Sequence, residues 1–396
     1  MKKVLLWVVA LVWGCTSYCQ TGGRIATGAE QLVSAEQAAF LQQLVNKNGV
    51  AVVANQASMV GDKHLVDTLL SIGVRIKTIF CPEHGFRGDS EAGAKVKDCI
   101  DAKTGLPLVS LYGSNKKPSA ESLKGVDLIL FDLQDVGCRF YTYISTLQYV
   151  MEAAYEQDKE FWLLDRPNPN GGYVDGPVLE EKYRSFVGVH PGVPVVYGMT
   201  IGEYAMMIVG EGWDSSAPRD TLKDKPVVVR LKNYTHDSVY RLPIAPSPNL
   251  RTPQAIALYP SLCLFEGTNV SVGRGTDKPF EVIGRPSYTD HSFSFVPKSM
   301  PGVSANPPHK GKRCYGCDLS DVEVRRCFDL SYLLEMYNNS DKNTFFLKSN
   351  FFDLLAGTRM LREQLEKGIP EEEIRASWQP ALDRFKRVRE KYLLYD

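Results

Sequence analysis

With 396 residues, 44% of them hydrophobic, and no internal repeat or low-complexity tract, the chain is long enough for two domains with real cores. Its 46 Lys and Arg balance its 46 Asp and Glu, so no global field draws it to nucleic acid or anionic lipid. Nucleic-acid binding is therefore not expected.

The chain opens on a leader. Lys2 and Lys3 form a positive n-region, Val4 to Trp13 a short apolar run, and Gly14 to Ser17 a small-residue stretch. That run is too short to span a bilayer, so residues 1–19 read as a signal peptide removed on export to the periplasm. Ser17 and Cys19 suit the small positions before a cut, which leaves Gln20 as the new terminus. A lipoprotein anchored through Cys15 is the rival, and bulky Trp13 speaks against it. Seven cysteines then remain: Cys81, Cys99, Cys138, Cys263, Cys314, Cys317 and Cys327. His309 with Cys314, Cys317 and Cys327 offers one CxxC and no matching second pair, so a local disulfide or buried thiols are expected rather than zinc.

Ser34-Ala-Glu-Gln37 has the form of a capping box for a helix over Ala35 to Asn46. Gly49 to Asn55 reads as a buried strand, His64 to Ile72 as a helix stopped by Gly73, and Val74 to Phe80 as a second strand. Pro82 cannot donate to a ladder and ends it. Beyond it Glu83, His84, Arg87, Asp89 and Glu91 crowd a glycine-spaced loop. Next come a strand over Pro107 to Tyr112, a short helix over Ala120 to Lys124, and a strand over Val126 to Leu133. This last strand delivers Asp132, Gln134, Asp135, Arg139, Tyr141 and Tyr143. A helix over Tyr141 to Gln157 leads to a strand over Phe161 to Leu164 that runs into Asp165-Arg166-Pro-Asn168.

This alternation predicts βαβ units and a mainly parallel sheet. Parallel strands share one carboxyl edge, where ligands bind in open α/β sheets. Asn55, Glu83, Asp132 with Asp135, and Asp165 with Arg166 should therefore converge on one rim. Thr200 and Glu203 form a further capping box ahead of a helix over Tyr204 to Glu211. The proline-dense Leu242 to Pro260 reads as the passage into a second domain, which divides the chain into 20–245 and 246–396. Strands over Leu262 to Phe265 and Thr268 to Val272 should open that domain. Helices over Thr358 to Lys367, Glu371 to Trp378 and Ala381 to Leu394 should close it.

No GxGxxG or GxxxxGK[ST] occurs, so no nucleotide cofactor is expected, and no GxSxG elbow is present. His84 with Asp89 or Asp132 has no metal-site spacing, and no metal is expected. Carboxylate chemistry remains. A glycosidase needs a protonated acid at the leaving oxygen and usually a second carboxylate. Glu83, Asp89, Glu91, Asp132, Asp135, Asp165 and Glu266 are candidates, and Phe86, Phe140, Tyr141, Tyr143 and Tyr173 could stack on sugar faces.

Five segments carry a resemblance. They are Pro-Glu-His-Gly-Phe-Arg-Gly (82–88) with Ala92-Gly93, Phe-Asp-Leu-Gln-Asp-Val-Gly-Cys-Arg-Phe-Tyr-Thr-Tyr (131–143), Asp-Arg-Pro-Asn-Pro-Asn-Gly-Gly (165–172), Pro-Ser-Pro-Asn-Leu (246–250) and Glu-Gly-Thr-Asn-Val-Ser-Val-Gly-Arg-Gly-Thr (266–276). In order and over nearly the whole mature chain, the sequence resembles the NamZ-type exo-β-N-acetylmuramidases, long catalogued as a domain of unknown function. The resemblance implies a Rossmann-like domain with helices on both faces, a smaller α+β auxiliary domain, and an active site in the cleft between them. It also implies release of N-acetylmuramic acid from the non-reducing ends of peptidoglycan-derived disaccharides or glycan chains.

Glu83 is the expected general acid. It follows Ile79-Phe80 and Pro82, so packed chain should desolvate one side of its carboxyl and favour the protonated form. Asp132 or Asp135 would be the ionised partner. The lactyl carboxylate of N-acetylmuramic acid suits a guanidinium, and Arg87, Arg139, Arg166 and Arg274 all lie in matched motifs. Arg274, from the second domain, is singled out for this role. Asn55, Gln134, Asn168 or Asn269 would serve the acetamido group, and His84, Tyr141, Asp165 and Glu266 complete the expected substrate-binding set. The rivals are a non-catalytic periplasmic sugar-binding protein and a hydrolase of another cell-wall or phosphorylated substrate. Glu83 discriminates the first, because a binding protein has no use for an acid kept protonated.

Overall fold

A computed structural model of the chain describes residues 23–83, 85–86, 99–214, 216 and 226–396. The leader, His84, Arg87, Asp89 and Glu91 lie outside the described residues. Seven strands form one sheet: β1 (Val50–Ala54), β2 (Ile76–Cys81), β3 (Cys99–Ile100), β4 (Pro107–Ser110), β5 (Leu128–Asp132), β6 (Glu160–Leu164) and β7 (Val227–Val229). Their order is β7-β6-β5-β1-β2-β4-β3, and every pair is parallel except β3 with β4. The chain steps outward from β1 through β2 to β4, then returns to the far side of β1 for β5, β6 and β7. This is the doubly wound Rossmann order with one antiparallel edge strand added.

Strands covered on both faces read as continuous apolar runs, and these do. Ala51, Val53, Phe80, Ile129, Phe131, Phe161 and Leu163 face one core, which α3 (Tyr143–Glu156) and α4 (Ile201–Gly210) cover. Val50, Val52, Ala54, Ile79, Leu128, Leu130 and Trp162 face the other, under α1 (Ala38–Val45) and α2 (Leu65–Ser71). Thr200 and Glu203 form their capping box at the start of α4. The box expected at Ser34 does not form: Ala35–Gln37 is a 3₁₀ turn and the Ser34 side chain caps nothing there. A complete box stands instead at Thr27, which accepts the Glu30 N–H at 3.2 Å while the Glu30 carboxylate accepts the Thr27 N–H at 2.9 Å. Ala120 to Lys124 closes as turns rather than a helix.

The second part holds α5 (Pro253–Leu262) and a small antiparallel sheet, β8 (Val282–Arg285), β9 (Ser294–Phe295) and β10 (Cys314–Asp318), in the order β8-β10-β9. It continues with α6 (Ser331–Asn338), α7 (Phe351–Ala356), α8 (Met360–Glu366) and α9 (Glu371–Arg389). The strand expected over Leu262 to Phe265 is helical. Pro253 occupies the first turn of α5, where it suits a helix, Thr252 caps Ala255, and Cys263–Gly267 continues as a 3₁₀ turn. Thr268 to Val272 makes only isolated bridges, Thr268 with Phe346 and Ser271 with Gly284.

The two helices expected around Pro380 are one 19-residue helix. Ile374, Trp378, Leu382 and Phe385 lie on one stripe and are buried. Burial of that stripe outweighs the roughly 3 kcal/mol that an interior proline costs. One core runs unbroken from the sheet through Tyr259, Phe265 and Phe280 to Phe352 and Leu382, so the second part packs directly onto the first. None of the seven described cysteines is in a disulfide, and four of them are buried: Cys81, Cys138, Cys263 and Cys314.

Candidate active site

Where β2 ends, Pro82 stops the ladder and Glu83 emerges at the carboxyl edge of the sheet. Tyr112 follows β4, and Phe140 to Tyr143 lead from β5 into α3. From the second part, Tyr259 of α5 and then Cys263, Glu266, Arg274 and Phe280 close the opposite wall. Together they line a cavity of about 470 Å³, within the size range of small-molecule sites. A smaller cavity of about 300 Å³ on the other side of α5 is lined by Tyr173, His236, Tyr240 and Arg241 and by no carboxylate. Of these two, only the first offers carboxylates.

Glu83 is half-buried there. Thr142 Oγ1 donates to its carboxylate at 3.3 Å, and the Tyr112 hydroxyl is hydrogen-bonded to it as well. Burial first, and then the neighbouring Glu83 charge, push the Tyr112 phenol up, so it stays a donor. Across the cavity, Arg274 Nε donates to Glu266, and the guanidinium lies 5.2 Å from the centroid of the Phe280 ring. Tyr259 packs edge-on against Phe140, Tyr141 and Phe280 at 5.3, 6.0 and 5.0 Å, which makes an aromatic floor. Among the described residues the cavity thus holds two carboxylates, Glu83 from the sheet edge and Glu266 from the second part.

The rim expected from the strand ends exists, because β6, β5, β1 and β2 are neighbours. Most of its polar groups, however, are bound within the protein and do not line the cavity. Asp132, expected as an ionised partner, is fully buried and accepts Arg166 Nε at 2.6 Å and Nη2 at 2.8 Å. Arg166 is consumed by that pair and by the Met59 carbonyl at 3.2 Å. Asp165 accepts from Thr200 and Tyr395 hydroxyls, both at 2.7 Å, and burial pushes it up to about 6. Asn55 donates to the Tyr143 hydroxyl at 2.8 Å. Gln134 donates to the Asp135 and Pro167 carbonyls, both at 2.8 Å, and Asn168 to the Met199 carbonyl at 2.7 Å.

Arg139, expected to hold a substrate carboxylate, is buried against the end of α7. There it donates to the Leu355 and Ala356 carbonyls at 3.0 and 2.9 Å. Burial pushes it down to about 10. Asn269 is not among the cavity-lining residues, and its carbonyl accepts from His309 at 2.7 Å. For the groups at the strand ends the physical reason is that buried polar groups are satisfied by whatever the fold brings next to them, here mostly one another and nearby main chain. Tyr141 does line the cavity, with its hydroxyl donating to the Pro246 carbonyl at 2.9 Å. Gln56 holds the same segment through the Ala245 and Pro246 carbonyls. Tyr112, Lys116 and Thr142 were not anticipated; the position of Tyr112, just past a parallel strand, was the available signal.

Asp135 gives a pH test. Its Oδ2 accepts the Gly137 N–H at 2.7 Å and the Tyr197 hydroxyl, its Oδ1 has no partner among the described residues, and burial pushes it up to about 7 from 3.8. The native state holds this proton more tightly than the unfolded chain, so Asp135's contribution favours folding at low pH and fades as pH rises from 3.8 towards about 7. Asp135→Asn should therefore gain on the wild type as pH rises across that window, read as the difference in Tm. A difference independent of pH would contradict the burial argument.

Residues 50–254 match the family model of the exo-β-N-acetylmuramidase NamZ N-terminal domain, and residues 257–395 that of its C-terminal domain. The two matches meet in the first turn of α5. The chain is 40% identical over 394 residues to the peptidoglycan β-N-acetylmuramidase NamZ of Bacillus subtilis strain 168, covering 94% of this chain and 92% of that protein. Two crystal structures of DUF1343 family proteins from Bacteroides fragilis NCTC 9343 share the fold, with TM-scores of 0.84 and 0.77 at 45% and 28% identity. Each covers 94% of this chain and 99% of the other.

Proposed function

The chain belongs to the NamZ family of exo-β-N-acetylmuramidases, and from that premise we propose that Glu83 is the general acid of its cleft and Glu266 the second carboxylate. The protein is a glycosidase that releases N-acetylmuramic acid from the non-reducing ends of peptidoglycan fragments. The observation that carries the assignment is the presence of Glu83 and Glu266 on facing walls of one cavity, with an aromatic floor between them. Glu83 gives a proton to the glycosidic oxygen as the bond to the anomeric carbon breaks, the oxygen of a water molecule bonds to that carbon, and the proton this water releases restores the acid. Tyr112 and Thr142 hold its carboxyl in place. Glu266, fixed by Arg274, stands on the facing wall as the second carboxylate that such a hydrolysis uses. Export through the leader at Lys2 to Cys19 belongs to the same reading, since it would bring the enzyme to its polymer.

The test is incubation with a chromogenic β-N-acetylmuramide beside the matching β-N-acetylglucosaminide. Hydrolysis of the muramide with little or no hydrolysis of the glucosaminide is expected. Tight binding of the muramide with no turnover would instead support a sugar-binding protein.

A further inference from the structure

An N-acetylmuramide differs from the corresponding glucosaminide by one anionic substituent, so the cleft needs a positive group free to meet it. Among the described residues, the arginines of the matched motifs do not meet this need. Arg166 is committed to Asp132 and Arg139 to main-chain carbonyls, while the charge of Arg274 is balanced by Glu266. Lys116 also lines the cavity, on the wall that carries Glu83. Among the described residues no carboxylate forms an ion pair with it. Its Nζ lies 4.6 Å from the centroid of the Phe186 ring. A cation over an aromatic face is held in place without being neutralised. Phe186 is itself braced, 6.2 Å from the stacked Tyr149 ring and 6.1 Å from Tyr112, the residue bonded to Glu83. Lys116, Phe186, Tyr112 and Glu83 thus form one continuous wall, which carries both the group that delivers the proton and an ammonium with no ion pair to a described carboxylate.

We propose that Lys116 is the specificity-determining residue of the cleft, its ammonium reading the carboxylate carried by the sugar whose bond is cleaved. The inference rests on the muramidase reading above. An ammonium has three rotatable donors and suits a carboxylate on a flexible ether substituent. A sugar without that carboxylate would leave the ammonium unpaired on closing the site.

The experiment compares an aryl β-N-acetylmuramide with its lactyl methyl ester, which keeps the ring and removes the charge. The wild type should favour the acid by about tenfold or more in kcat/KM, as for a hydrogen bond to a charged group. Lys116→Met should raise KM for the acid until acid and ester are used alike, with kcat changed little. Lys116→Arg should restore most of the preference. Added salt should raise KM for the acid in the wild type and leave that of Lys116→Met nearly unmoved. If Lys116→Met keeps the wild-type preference for the acid, the inference is overturned while the muramidase reading stands. If the wild type hydrolyses neither compound, the muramidase reading itself falls.

Discussion

Glu83→Gln is expected to leave the fold intact, to keep substrate binding, and to lower turnover by at least about a hundredfold, the usual cost of losing a general acid. Glutamine has nearly the size of glutamate and can still accept from Thr142 and Tyr112, so the wall of the cavity should survive. What it lacks is a proton to give. Steady-state turnover of a peptidoglycan disaccharide, with circular dichroism as the fold control, checks this. Near-normal turnover by a folded variant would remove Glu83 from the role and move it to Glu266, or to Glu91 outside the described residues.

The second large effect is on stability. Arg166→Met should destabilise the protein by about 3–5 kcal/mol, because it leaves the fully buried Asp132 carboxylate without its counter-charge. Adding Asp132→Asn to that variant should recover part of the loss, since the remaining pair is uncharged. Urea denaturation of the two single variants and the double variant measures this as a cycle. The cycle also separates support from catalysis. A folded Asp132→Asn protein should keep most of its turnover. Wild-type stability together with a hundredfold loss of turnover would return Asp132 to the chemistry.

The sheet was legible because its strands are buried on both faces and so appear as unbroken apolar runs, with proline or polar residues at their ends. Glu83 was legible for the same reason: Pro82 terminates β2 where a ligand-binding edge is expected. The fate of the other rim residues was not legible. Asp132 and Arg166 are 34 positions apart and meet only because β5 and β6 are neighbours. Sequence gives each of them chemical capability but not the partner that uses it up. The same holds for Arg139, whose acceptors Leu355 and Ala356 lie more than 200 residues away. Local rules misled at α5 and α9, where prolines read as breakers sit in the first turn of a helix or on a helix held by its buried stripe. Glu266 and Arg274 were both in a motif, but that one neutralises the other depends on the turn bringing them together across the cavity wall.

Proton delivery by Glu83 is tested most directly by a leaving-group series. Aryl β-N-acetylmuramides running from dinitrophenyl to unsubstituted phenyl would be compared in the wild type and in Glu83→Gln, with kcat/KM measured for each. A dinitrophenolate departs without a proton, so the variant should come close to the wild type on that substrate. It should then fall away steeply as the leaving group becomes more basic, while the wild type changes little. A loss of the same size across the whole series would contradict the account, because Glu83 would then be serving the site in some way other than protonating the departing oxygen.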